Sequence, residues 1–223
     1  MNSQSGQRMV LRNAIAAMQE AGVDPKQAIL SQSYLRLEVV AATNKTQYQF
    51  GVLVNDQPQG QQVRITENRL NLQDAFYTGT IQFMLGNTTN ATDTNIHPVT
   101  YPNVRIFTTA LAAAALYNVY NGELALTVNN RVITPSWDMM RHLEINQTQQ
   151  NVTPLATTIN EDQMNGAFST SFPCEPNWVF IGSKNNVLNL NLPAAIGTLQ
   201  ATSTTVLILI LRGVLAQNVT VVS

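Results

Sequence analysis

The residues of this chain that could do chemistry are few and scattered. It has two histidines, His97 and His142, and neither has a second histidine or a cysteine at metal-ligand spacing. Glycoside hydrolysis would need two facing carboxylates. The candidates are Glu161-Asp162 and the pair Asp56 and Asp93, drawn from only 13 acidic residues and flanked by no signature. The sole cysteine, Cys174, sits between Pro173 and Glu175-Pro176, cannot form an internal disulfide, and reads as a small buried thiol. Gly-x-Ser-x-Gly, P-loop and dinucleotide fingerprints are absent. The expectation is therefore no catalytic, cofactor-binding or metal residue, no cofactor, and no enzyme.

Aromatic side chains could instead form a sugar platform, for which Trp137, Trp178, Tyr101, Tyr117 and Tyr120 are the candidates. Trp178 opens an apolar strand and is better explained by core packing. Tyr101, between Thr100 and Pro102 in a polar loop, is the aromatic expected to be exposed.

Composition says more than the motifs do. Charged residues make up 11%, less than half of the usual ~25%. Asn, Gln and Thr supply about three residues in ten, an unusual share of the polar surface. Amides cost less to desolvate than charges when a partner covers them, so such a surface suits broad contacts; compositional drift is the other reading. The net charge is −1 and no Lys/Arg run exists, which argues against direct, sequence-specific nucleic-acid binding. The first residues carry no basic segment followed by an apolar core, and no transmembrane stretch appears, so synthesis and use in a cytoplasm is expected unless the protein leaves without a signal peptide.

The element around which the rest must be arranged lies near the end. Val206-Leu207-Ile208-Leu209-Ile210-Leu211, preceded by threonines and followed by Arg212-Gly213, is too short for a buried helix or a membrane span. It reads as a strand apolar on both faces, central in a β-sandwich. Upstream, residues 8–20 place Leu11, Ala14, Ile15 and Met18 on one helical face, with Gly22 to stop the helix. Asp24-Pro25 predicts a second short helical turn. This arm, residues 1–32, either packs on its own sandwich or reaches a neighbouring subunit.

From Ser33 the period changes to two. Leu35/Leu37/Val39, Tyr48/Phe50/Val52/Val54, Val63/Ile65, 80–85, 104–107, 178–181 and Val187/Leu188/Leu190/Leu192 all read as strands. The alanine run Leu111–Tyr120 favours a helix, and Asn129-Asn130 a hairpin turn between 123–128 and 131–133. A capped one- or two-turn helix is predicted at 137–143. Residues 86–103 read as a long surface loop and 146–177 as poorly patterned.

The run Trp178-Val179-Phe180-Ile181-Gly182-Ser183-Lys184-Asn185-Asn186-Val187-Leu188-Asn189-Leu190-Asn191-Leu192-Pro193, with Thr204 to Gly213, resembles the closing strands of jelly-roll coat proteins of viruses, bacteriophages in particular. The likeness covers about a fifth of the chain and includes no diagnostic motif. It implies an all-β jelly-roll sandwich, here residues 33–223, with the helical arm and a few short helices added. A compact double roll stays open. It also implies a structural protein of the virion, assembled in the host cytoplasm, whose partners are copies of itself in capsomers and other virion proteins. Subunit-contact candidates are Leu11, Ile15, Met18 and Tyr101. The alternative is a carbohydrate- or receptor-binding sandwich, or a decoration or fibre protein, around Tyr101 or Trp137.

Overall fold

In a computed structural model the described residues are 3–54, 69–88, 96–102, 107, 110–144, 170–199 and 203–221. The strand expected at Val63/Ile65, most of that at 104–107, the polar tract 147–151 and the carboxylates Asp56, Asp93, Glu161 and Asp162 lie outside them.

The chain opens with helix α1 (Ser3–Glu20), which stops at Gly22, a residue with φ 81° that suits glycine. Strands β1 (Val23–Asp24), β2 (Ile29–Val40), β3 (Gln47–Val54), β4 (Arg69–Leu70), β5 (Ala75–Thr88) and β6 (His97–Val99) follow. Helix α2 (Ala110–Tyr120) leads into β7 (Glu123–Val128) and β8 (Arg131–Asp138), then a single 3-10 turn, Met139–His142. The last strands are β9 (Phe172–Ile181), β10 (Asn186–Asn191), β11 (Thr204–Gln217) and β12 (Thr220–Val221). The structure is mostly β, and its long strands pair antiparallel.

Three local expectations change. The stretch 86–103, expected as a surface loop, holds the end of β5 and strand β6, and pairing of β6 with β5 helps to bury Ile96, Val99 and Thr100. No helical turn follows Asp24-Pro25: β1 pairs with β12, which holds Asp24 extended, and the Asp24 carboxylate accepts the Lys26 backbone N–H at 3.1 Å in a simple turn. The chain is extended again by Ile29, so the first long strand starts there rather than at Ser33. Trp137 also belongs to a strand, not a helix; the 3-10 turn begins after Asp138, whose carboxylate caps it by accepting from the Met140 N–H at 2.9 Å.

The eight long strands pair in a nested way. In chain order they are β2, β3, β5, β7, β8, β9, β10 and β11, and the first pairs with the last, β2 with β11. Then β3 pairs with β10, β5 with β9, and β7 with β8. Two more pairings, β11 with β5 and β10 with β7, close this ribbon into two sheets, β2-β11-β5-β9 and β3-β10-β7-β8. Strands β6 and β4 extend them at β5 and β3.

The sheets face each other across one core. Leu35, Leu37, Phe83, Leu207, Leu209 and Leu211 come from the first, and Tyr48, Phe50, Leu124, Leu126, Leu188 and Leu190 from the second. This makes a sandwich-like layer pair. The other face of β11 is apolar as well. Val206 and Ile208 bury against Met84 and Ile96, while Val214 and Ala216, with Ala75 and Tyr77 of β5, receive Ala14, Ala17 and Met18 of α1. A strand covered on both sides is what its unbroken aliphatic run requires.

Candidate functional site

The densest polar constellation is inside the protein. Arg212 donates from Nη1 to Gln82 Oε1 at 2.8 Å, and Gln82 donates from Nε2 to Thr170 Oγ1 at 2.9 Å. The Thr170 carbonyl lies 2.9 Å from His142 Nδ1, and Trp137 donates from Nε1 to His142 Nε2 at 2.9 Å. An indole N–H can only donate, so His142 Nε2 must be the acceptor and Nδ1 must carry the proton given to Thr170. The ring is neutral. Burial pushes its pKa down to about 4, more than the Thr170 carbonyl and Asp138 hold it up, with Arg141 adding to the lowering. Trp178 makes a parallel tie, donating to Thr134 Oγ1 at 2.8 Å. Because β8 lies in one sheet and β5, β9 and β11 in the other, these side chains bolt the sheets together at one end.

His142, singled out from sequence as one of two titratable rings, is thus a fully satisfied core residue. Trp137 is 6% exposed and Trp178 is fully buried, so neither offers a ring face to a sugar. Cys174 is buried, and burial pushes its thiol up to about 12, which leaves it protonated and unreactive at neutral pH. Among the described residues there is no group of three or more His, Cys, Asp or Glu able to hold a metal ion, and no helix long and apolar enough to cross a membrane.

The candidate contact residues separate. Met18 is fully buried where α1 meets the sheet, Ile15 is half-buried, and Leu11 is 39% exposed. Ala14 and Met18 rest on the sheet, whereas Val10 and Leu11, one turn earlier on the same side, are uncovered. Val10 and Leu11 therefore continue the apolar stripe of α1 beyond the part that the sheet covers. Tyr101 is half-buried and engaged rather than free. Its neighbour Thr100 is locked, donating from Oγ1 to the Glu144 carbonyl at 2.9 Å and accepting the Tyr120 hydroxyl at 2.8 Å.

Beside the last turns of α1 runs a groove of about 660 Å³ with an apolar floor that includes Ala17, Leu126, Val128 and Val179, and with Glu20, Arg131 and Lys184 at its rim. The outer strand β8 adds exposed Val132 and Ile133. Helix, groove and outer strand together present apolar side chains at the surface.

No family model, no curated protein and no solved structure matches the chain.

Sequence reasoning missed the internal chain of hydrogen bonds as a unit. Gln82 was the readable signal, an amide set between Ile81 and Phe83 in an otherwise apolar run, and Arg212 another, placed directly after six aliphatics. Their partners are too distant in sequence for spacing to connect them.

Proposed function

We propose that the chain is a jelly-roll structural subunit of a virus shell, of the bacteriophage kind, and that it acts by self-association into capsomers. The observation that carries this reading is the nested pairing of the eight long strands, first with last through to fourth with fifth, wrapped into two four-stranded layers. Nested pairing of this kind supports a jelly-roll reading, an architecture used by capsid and lectin domains and by cupins. Fold alone does not choose among these.

The surface favours the shell. A lectin would present aromatic faces in a depression, and both tryptophans are spent inside. Apolar side chains lie outside instead: Val10 and Leu11 on α1, and Val132 and Ile133 on β8. Strand β8 also carries Pro135 and two shifts of register, devices that stop a sheet edge from pairing at random with another edge. Contacts between copies then run through side chains, with the Val10/Leu11 stripe of one subunit seated on an adjoining copy. Copies of the chain and other virion proteins are the partners, and the virion is where it resides.

The test is a chain beginning at Asn13. It keeps Ala14, Ala17 and Met18 on the sheet and loses the exposed Val10 and Leu11. Sedimentation velocity should show the full chain as capsomers or larger particles and the shortened one as folded protomers. Equal assembly by both would refute a contact through the first half of α1.

A further inference from the structure

His142 joins the two sheets through a ring that has no place for a second proton. Both of its nitrogens are engaged, Nε2 as acceptor from Trp137 and Nδ1 as donor to the Thr170 carbonyl. A proton taken from solvent onto Nε2 would set an imidazolium N–H against the indole N–H, two donors with no acceptor between them, while the Thr170 bond survives. We propose that His142 is an acid-released latch, whose protonation frees the 3-10 turn Met139–His142 and the end of β8 from the β5–β9–β11 sheet.

The surroundings of the ring favour a local release. Next to the ring lie Asp138, which caps its turn and supports the cation, and Arg141 on the turn, which opposes it and whose guanidinium stands 5.4 Å over the Trp137 ring. From β5 and β11 come Gln82 and, bonded to it, the Arg212 guanidinium, a further positive charge along the same chain of bonds. The start of β9 brings Phe172, edge-on at 5.4 Å, and the protonated Cys174 thiol. Helix α2, which packs on the turn, brings Tyr120, neutral and occupied by Thr100, and the exposed Tyr117. Asp138 is the one carboxylate that acts on the ring, and it shares its charge with Arg141 at 4.0 Å; Glu123 of β7, opposite Asp138, accepts from the Ser136 hydroxyl at 2.9 Å. The other indole tie, Trp178 to Thr134, contains no group that titrates in this range, so the inner part of β8 keeps its anchor when the latch opens.

The chain reports on this latch directly, because its two tryptophans are the two indoles involved, with ring centroids 5.7 Å apart. Intrinsic fluorescence of the full chain, followed with far-UV circular dichroism from neutral pH down to about 3, should show a reversible change in tryptophan emission with a midpoint near 4 and no loss of β signal. In His142→Gln, whose side-chain amide can both accept from Trp137 and donate to Thr170, that emission change should vanish. The same midpoint in His142→Gln, or a loss of the β signal together with the emission change, would overturn the proposal. Histidine ¹⁵N spectra of the unmodified protein provide a second reading, made simple by the presence of only two histidines. His142 should show the Nδ1–H tautomer at neutral pH; the Nε2–H tautomer, or a midpoint at the ordinary histidine value, would equally overturn it.

Discussion

Trp178 and Thr134 show how much rests on single side chains in the space between the sheets. The indole N–H and the hydroxyl are both buried and satisfy each other at 2.8 Å. Removing one leaves the other unsatisfied, at about 1–3 kcal/mol, whereas removing both leaves no orphan. Thr134→Val alone should therefore lower the urea midpoint more than the bond's net worth would suggest. Adding Trp178→Phe should cost less than the sum of the two single changes, and strict additivity would mean the bond contributes nothing. His142 adds a pH dependence of definite sign. Its folded pKa is near 4 against an ordinary 6.5, so as pH falls the unfolded chain takes up the proton first. The ring's contribution is complete above about 6.5 and is lost between there and about 4, roughly 3 kcal/mol over that interval. Urea midpoints measured across that interval should fall for the wild type more steeply than for His142→Gln. Gly213 is constrained differently: a Cβ there would run into the Tyr77 carbonyl oxygen where β11 crosses the bulge in β5, so Gly213→Ala should destabilise strongly.

At the scale of elements, β11 is where sequence and structure meet most closely. Its aliphatic run requires cover on both faces, and the core supplies one side while Met84, Ile96 and α1 supply the other. Leu209→Asp should abolish soluble folding, since an unpaired buried carboxylate costs several kcal/mol, on the order of half a domain's stability. A soluble, cooperatively unfolding Leu209→Asp would show the strand to be peripheral. The hairpin of β7 and β8 was equally readable: Asn129 and Asn130 take φ of 47° and 64°, both positive as a tight two-residue turn demands. What misled was local chemistry overruled by pairing. Asp24-Pro25 is a fair helix start, yet the tie of β1 to β12 leaves no room for one. Trp137 sits in a strand because it pairs with Leu124 of β7, a long-range constraint invisible to periodicity. The internal chain from Arg212 to Trp137 was unreadable for the same reason, since its links join residues as far apart as 130 positions.

For the whole molecule, the order of strands carries the functional reading, and no local pattern contains it. Strand β2 finds β11 across nearly the full chain, and the nested pairing explains why the last long strand lies in the middle of its sheet. The self-association proposed above rests on this sandwich-like pairing together with the low charge of the chain, the exposed Val10 and Leu11 on α1 and the proline in the outer strand β8. Light scattering coupled to size exclusion, with negative-stain microscopy across a concentration series of the full chain, tests this most directly. Trimers, pentamers or hexamers that grow into shells or sheets are the expected result. A monomer or small oligomer that persists at every concentration would contradict self-assembly as its function.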